Sequence, residues 1–172
     1  MKKLILIVAI VLAVSQLSEV SAQKPGPGNG DKAPEIALPS PDGNLIPLSS
    51  IKNKVVLIDF WATWCAPCVK EQPELARLYT KYKNSSFING KGFEIYGVSL
   101  DAKKEMWLEV IQKLNINWIQ VSDLKFWRSE AAKSYNIQEL PYNLLLDKNG
   151  IILAKNLHGD VLEKRIAKYL NK

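Results

Sequence analysis

The chain has few of the residues that bind metals or crosslink a fold. Its 172 residues include two cysteines and one histidine. Two cysteines form at most one disulfide within the chain, which excludes a fold held by several bridges. A structural zinc site needs about four cysteine, histidine or carboxylate ligands, and His158 is far along the chain from Cys65 and Cys68. The sequence therefore predicts no metal and no cofactor, and it places His158 in an exposed loop or at a helix cap.

Long apolar runs are also scarce, and one of them lies at the N-terminus. Residues 4–14 form an apolar run of about 11 residues, whereas a membrane-spanning helix needs about 20. The run follows two lysines and precedes Val20-Ser21-Ala22, the pattern of a secretory signal peptide with a small-residue cleavage site. We therefore predict a signal peptide at residues 1–22 and export to the bacterial periplasm or cell envelope. An uncleaved membrane anchor is the alternative.

No stretch concentrates charge of one sign. The formal net charge is +6, but lysines alternate with acids, as in Lys103-Lys104-Glu105. Such scattering is typical of a solvated surface, so we expect no nucleic-acid partner. Residues 23–32 are rich in glycine and proline and predict a flexible linker. Residues 33–172 then have the size of one domain with one core, which we expect to be a monomer.

Apolar periodicity predicts that strands alternate with helices in this domain. Residues 55–60 are a near-continuous apolar run, typical of a strand buried on both faces, and residues 93–100 predict a second buried strand. Residues 65–82 predict a long helix whose inward stripe includes Cys68 and Glu71. The other predicted elements are an N-terminal hairpin at 36–47, helices near 106–114 and 127–135, a strand at 118–121, a hairpin at 144–156, and a final helix at 162–170 capped by Asp160. This order predicts an α/β fold with a mixed sheet.

Both cysteines lie in one short segment, FWATWCAPCVKE, at residues 60–71. A structural staple is one interpretation, but closing so small a loop gives the least stabilisation. A working dithiol is the other. Cysteines three apart in the first turn of a helix can form a disulfide, and the positive end of the helix lowers the pKa of the first thiol. We predict Cys65 as the attacking thiol and Cys68 as the resolving thiol.

Two carboxylic acids are predicted to lie behind the cysteines. Asp59 is in the buried strand, and Glu71 shares the helix stripe of Cys68. Burial raises the pKa of a carboxyl group, which brings a general acid or base toward neutral pH. We therefore predict that both acids handle the proton of Cys68. The alternative is that Asp59 faces the sheet edge and Glu71 the rim of the stripe, with no role in the chemistry.

The cysteine segment resembles the active site of the thioredoxin superfamily. The matching features are Trp64 before the first cysteine, Pro67 between the cysteines, Pro73 beyond the second, and the strand acid Asp59. Leu140-Pro141, followed by an apolar strand, resembles the segment that carries the superfamily's cis-proline. Within the superfamily, C-A-P-C-V-K-E-Q-P is similar to the exported TlpA/ResA-like reductases.

The resemblance implies a thioredoxin-like fold with an N-terminal hairpin and a central insertion. It also implies an exported thiol:disulfide oxidoreductase that acts mainly as a reductant, with disulfide-containing exported proteins as substrates and a membrane electron donor. Cytochrome c apoprotein, other exported thiols or a small disulfide are all compatible substrates. The implied catalytic residues are Cys65, Cys68, Glu71, Asp59, Pro141 and Trp64.

Two other functions remain as alternatives. A peroxiredoxin-like thiol peroxidase has a related fold, but its motif places proline seven and threonine three residues before the reactive cysteine. Relative to Cys65 those positions hold Ile58 and Ala62. A redox-inert binding or metallochaperone module is the second alternative, and the intact C-A-P-C sequence argues against it.

Overall fold

A computed structural model describes residues 25–88 and 90–171 of the chain. The predicted signal peptide and the first two residues of the predicted linker lie outside the described residues. In chain order the strands are β1 (Ala37–Pro39), β2 (Leu45–Pro47), β3 (Val55–Trp61), β4 (Ser86–Phe87), β5 (Gly90–Lys91), β6 (Phe93–Ser99), β7 (Ile119–Val121), β8 (Tyr142–Leu146) and β9 (Ile152–Lys155). The α-helices are α1 (Ala66–Tyr82), α2 (Lys104–Lys113), α3 (Glu130–Ser134) and α4 (Gly159–Ala167), with short 3₁₀ helices at Leu48–Ser50 and Phe126–Arg128.

The main sheet has five strands in the order β7-β6-β3-β8-β9. Strand β3 pairs parallel with β6 and antiparallel with β8, so the sheet is mixed, as predicted. Every residue of β3 and of β6 is buried, because both strands lie inside the sheet with packed faces. The α/β class is therefore confirmed. Leu57, Ile58 and Phe60 form the centre of the core.

The implied additions to the sheet are present. Strands β1 and β2 form an antiparallel hairpin at the N-terminal end of the domain. Between β6 and the segment leading to Pro141, helix α2 and strand β7 form an insertion, and β7 adds an edge to the sheet beside β6. The C-terminal hairpin β8–β9 is antiparallel, as predicted.

Two helix predictions differ from the structure. The final helix begins at Gly159, with His158 at the N-cap, and Asp160 lies in the first turn without capping the helix through its side chain. The predicted helix at 127–135 is divided into a 3₁₀ turn and α3, because Ser129 between them has an extended ψ of 131°. Apolar spacing does not reveal such a backbone break, since the spacing on either side is unchanged.

Residues 25–32 of the predicted linker contact the domain although they form neither helix nor regular strand. The backbone N–H of Gly30 donates to the carbonyl of Ile152 at 2.8 Å, and the N–H of Ile152 donates to the carbonyl of Asp31 at 3.0 Å. Gly26 lies so close to the Tyr135 carbonyl that a Cβ would stand 2.4 Å from that oxygen. The absence of a side chain at Gly26 thus permits the contact. Among the described residues, no helix combines the length and apolarity needed to cross a membrane.

Candidate active site

The cysteine loop leaves the carboxyl end of β3 and enters α1 within four residues. Its conformation is fixed by Asp101, a buried residue just beyond β6. The Asp101 carboxylate accepts hydrogen bonds from the Thr63 hydroxyl at 2.6 Å and the Thr63 backbone N–H at 3.1 Å. The Ser99 hydroxyl donates to the same carboxylate at 2.7 Å. Asp101 therefore anchors the loop that presents Trp64 and Cys65.

Cys65 and Cys68 form a disulfide across the first turn of α1, with their Cα atoms 5.2 Å apart. Cys65 is the N-cap residue, and its Sγ accepts a hydrogen bond from the Cys68 backbone N–H at 3.2 Å. Pro67 lies in the first turn, where a missing N–H leaves no helix bond unmade. The Cys65 sulfur thus faces the free N–H groups that stabilise negative charge at a helix N-terminus.

Asp59 lies in the middle of β3 and is 1% exposed. Its neighbours across the sheet are Gly97 on β6 and Asn143 on β8. The pKa of Asp59 is raised to about 7, mainly by burial and also by the nearby charge of Glu71, while the hydrogen bond from Gln72 lowers it. Gln72 Nε2 lies 3.3 Å from Asp59 Oδ2. The predicted burial of Asp59 is therefore confirmed.

The expected position of Glu71 is corrected by the structure. The fully inward residue of α1 at this level is Gln72, at 2% exposure, four residues after Cys68 on the helix. Glu71 is one residue off that stripe, about 100° around the helix axis. Its side chain is 13% exposed, and its carboxylate oxygens lie 2.9 and 3.1 Å from His158 Nδ1. Glu71 remains close enough to Asp59 for its charge to raise the pKa of that acid.

His158 is the N-cap residue of α4, as predicted, and its ring also contacts the Glu71 carboxylate. Its Nε2 lies 3.0 Å from Asn156 Oδ1. The segment that carries it is held by Asn143, whose side-chain amide donates to the Leu157 carbonyl at 2.7 Å and accepts from the Leu157 N–H at 3.1 Å. Asn143, beside Asp59 in the sheet, therefore also positions His158 relative to Glu71.

Pro141 and Trp64 lie at the same end of the sheet as the disulfide. The Leu140–Pro141 peptide bond is cis, as predicted, and Tyr142 after it pairs with Phe60, near the end of β3. Trp64 is 46% exposed. Its ring centroid lies 5.0 Å from that of Phe126 and 5.9 Å from that of Trp127.

Comparison with known families gives a match over most of the domain. The family model described as Thioredoxin-like matches residues 53–152, more than half of the chain. The chain belongs to this thioredoxin-like family.

Relatives within the thioredoxin-like family agree with this assignment. The chain is 34% identical over 148 residues to the thiol-disulfide oxidoreductase ResA of Bacillus thuringiensis, covering 83% of this chain and 77% of that protein. A solved thiol-disulfide oxidoreductase from Bacteroides fragilis is 36% identical with a TM-score of 0.73, over 80% of this chain and 98% of that one. The thioredoxin domain of a Bacteroides vulgatus thiol-disulfide oxidoreductase is 36% identical with a TM-score of 0.76, over 84% and 99%. With its C-x-x-C pair, the thioredoxin-like chain is a thiol-disulfide oxidoreductase.

The sequence prediction missed several residues that surround this thioredoxin-like site. Polar residues at or just beyond the end of a buried strand are a usable signal, and Ser99 and Asp101 fit it. Nothing in the sequence links His158 to Glu71 or Phe126 to Trp64, because these contacts join elements more than sixty residues apart. No group of three or more histidine, cysteine or acidic side chains within the described parts of the chain could hold a metal ion.

Proposed function

We propose that the chain is an exported protein-thiol:disulfide oxidoreductase that acts mainly as a reductant through Cys65 and Cys68. The observation that carries the proposal is a C-x-x-C disulfide at the N-terminus of α1, together with the buried carboxyl of Asp59, which contacts Gln72 one helical turn after Cys68. The N-terminal pattern of charged, apolar and small residues supports export. The substrates would then be exported proteins that contain disulfides.

The reaction would transfer two electrons from the dithiol to the substrate. The Cys65 thiolate attacks a substrate disulfide, forming a mixed disulfide, and the first substrate sulfur leaves as a thiolate that takes up a proton. Cys68 then loses its proton and attacks Cys65 Sγ, which releases the second substrate sulfur and leaves the Cys65–Cys68 disulfide. A membrane donor would return two electrons and two protons for the next cycle.

The second step needs a base near Cys68, because the protonated thiol is a poor nucleophile. Asp59 has a pKa of about 7 through burial, so its two protonation states are both populated near neutral pH. Glu71, bonded to the half-exposed His158, provides a second carboxylate between Asp59 and solvent. We assign both acids to the transfer of the Cys68 proton. Trp64 and Pro141 are assigned to the substrate-facing edge of the site.

The direction of the reaction follows from the charges around the dithiol. The Ala66-Pro67 pair provides no cation to stabilise a Cys65 thiolate beyond the helix N-terminus, and Leu140 provides no hydroxyl. Glu71 and Asp59, when ionised, oppose further negative charge nearby. Both effects favour the disulfide over the thiolate, as expected of a reductant.

Cysteine variants and a redox titration test the proposal. Cys65→Ser should abolish disulfide reduction, whereas Cys68→Ser should accumulate mixed disulfides with substrate that it cannot resolve. The double serine variant is the matched control and should form no adduct. Equilibration with glutathione mixtures should give a potential well below about −200 mV. Trapping through Cys68 in Cys65→Ser, or a potential near that of an oxidant such as DsbA, would contradict these assignments, and peroxide consumption would favour the peroxiredoxin alternative.

A further inference from the structure

We propose that Trp64, Phe126 and Trp127 form an aromatic platform that binds an apolar side chain next to the substrate's cysteine. The proposal rests on the proposed function and adds a substrate class to it. The preferred substrates would be extended polypeptide segments with an aromatic or large aliphatic residue two positions from the reacting cysteine.

The three rings of the aromatic platform contact one another at the edge of the dithiol site. The centroid distances are 5.0 Å from Trp64 to Phe126, 5.9 Å from Trp64 to Trp127, and 6.2 Å from Phe126 to Trp127. Phe126 is 42% exposed, and Trp64 has a similar exposed fraction. Two large rings therefore present apolar surface to solvent beside Cys65, to which Trp64 is directly linked.

The backbone that carries Phe126 adopts an unfavourable conformation. Leu124 has φ of 55° and Phe126 has φ of 54°, both in the left-handed region that side chains with a Cβ rarely occupy. The segment is held by hydrogen bonds from the Leu124 N–H to Ser122 Oγ and from the Lys125 N–H to Asp123 Oδ1, at 3.1 and 3.2 Å. Strain that exposes an aromatic ring does not serve the stability of the fold, and it points to a binding role.

The position of the platform determines its occupant. Reaction at Cys65 passes through a mixed disulfide, which brings the main chain of the substrate to the residues that adjoin Cys65. Trp64 is the first of these residues, and Phe126 and Trp127 extend its surface. In an extended segment, the side chains of alternate residues point to the same side. An apolar side chain near the substrate cysteine can therefore rest on the rings while the sulfurs react, and aromatic faces supply a large contact area.

Two matched peptides test the platform. Both carry one disulfide and differ only in having leucine or serine at the second position on each side of the reacting cysteine, which an extended backbone places on the same side as the cysteine. With the full chain, we expect kcat/KM to be about tenfold higher for the leucine peptide, the scale of one apolar side chain in a hydrophobic contact. Phe126→Asn should reduce that preference to about twofold or less, because asparagine tolerates the left-handed backbone but removes the ring. Turnover of hydroxyethyl disulfide, which has no flanking residues, measures the activity of the dithiol itself in each protein.

Controls separate binding from folding and from the proposed function. Leu45→Asn removes an apolar side chain that is 62% exposed on β2 and should leave the peptide preference intact. The free energy of unfolding of Phe126→Asn should equal or exceed that of the wild type. The proposal would be overturned if Phe126→Asn kept the peptide preference, or if it lost the preference together with stability. It would also be overturned if the ring surface only mediated dimers. A wild type that reduces neither peptide nor hydroxyethyl disulfide would instead count against the proposed function.

Discussion

At the scale of single residues, Asp59 has a protonation equilibrium that links the fold to the chemistry. Its pKa is raised from 3.8 to about 7, with burial as the larger cause. In the unfolded chain the carboxyl ionises near its ordinary value, so between about pH 4 and 7 the folded state holds a proton that the unfolded state has released. Stability is therefore expected to fall as pH rises through this window and to stay lower above it.

Asp59→Asn should remove this pH dependence. Because the pKa of Asp59 is raised by about three units, the variant should be more stable than the wild type by an amount on the order of 4 kcal/mol above pH 8. Below pH 4 the difference in stability should be close to zero. The amide keeps the polar contact with Gln72 but never ionises. Urea unfolding of the oxidised wild type and variant at several pH values measures the difference. Equal stabilities of the two proteins at pH 8 would contradict the raised pKa.

Glu71→Gln should lower the pKa of Asp59. The Glu71 charge is one of the two causes that raise this pKa from 3.8 to about 7, so removing it should move the pKa part of the way back. Burial remains and keeps the pKa above its ordinary value. The carboxyl carbon of Asp59, followed by ¹³C NMR against pH, reports the shift. Glu74→Gln is the control, because Glu74 lies on the outer side of α1 and pairs with Arg77; the same shift in both variants would show that Glu71 has no specific effect.

At the scale of elements, the sequence predicted the strands and the long helix well because burial leaves a clear pattern. The strands β3 and β6 are buried on both faces, so most of their residues are apolar. The prediction was weaker where backbone dihedral angles, and not burial, determine where an element begins or ends. The 3₁₀ turn at Phe126–Arg128 depends on left-handed φ values that leave no trace in the apolar spacing. Helix α4 was predicted three residues late because Asp160 was expected to cap it, whereas Asp160 lies in its first turn.

Packing between β6 and β7 depends on Gly97. A Cβ at Gly97 would lie 2.3 Å from Gln120 Nε2 and 2.7 Å from Oε1. That Oε1 accepts a hydrogen bond from Trp61 Nε1 at 2.9 Å in the core. Gly97→Ala should displace the amide and leave the indole N–H unpaired, at a cost of about 1–3 kcal/mol.

A double-mutant cycle with Gln120→Ala tests this explanation. Once the amide is absent, Gly97→Ala has no side chain to displace, so its additional cost should fall well below its cost in the wild type. The free energies of unfolding of the two single variants and the double variant provide the measurement. Additive costs would show that Gly97 matters for a reason other than the Gln120 contact.

At the scale of the whole molecule, the site is assembled from parts that the sequence analysis treated separately. The cysteines and Asp59 were predicted because they lie within one strand-loop-helix unit. The partner of Glu71 was missed, because His158 approaches from the last helix, 87 residues along the chain. The aromatic platform was missed for the same reason, because Phe126 and Trp127 are about sixty residues from Trp64 along the chain. Short-range patterns predict the reacting groups, whereas the surrounding contacts follow from the order of the strands.

The segment before the domain should contribute to stability. Gly26→Ala would place a Cβ 2.4 Å from the Tyr135 carbonyl, so the segment would have to move away. We expect a loss of about 1–2 kcal/mol, the scale of one or two weakened hydrogen bonds. Gly28→Ala is the matched control, because the nearest atom to its Cβ is 3.4 Å away. Equal unfolding free energies of the two variants would mean that residues 25–32 contribute no stability through this contact.

The redox state should change the stability of the whole domain in a definite direction. The folded and unfolded chains form a thermodynamic cycle with the oxidised and reduced cysteine pair. If folding makes the pair more reducing, the disulfide must stabilise the fold relative to the dithiol, by about 1.4 kcal/mol for each 30 mV. The residues around the disulfide favour this outcome, because neither Ala66 nor Pro67 is cationic and Cys68 shares its helix face with Gln72, which contacts the buried Asp59. We therefore expect the oxidised domain to unfold at a higher urea concentration than the reduced domain at pH 7.

The difference in unfolding free energy should match the difference between the potentials of the folded and unfolded chains. A reduced form more stable than the oxidised form would identify an oxidant, because stabilisation of the dithiol makes a protein donate its disulfide to others.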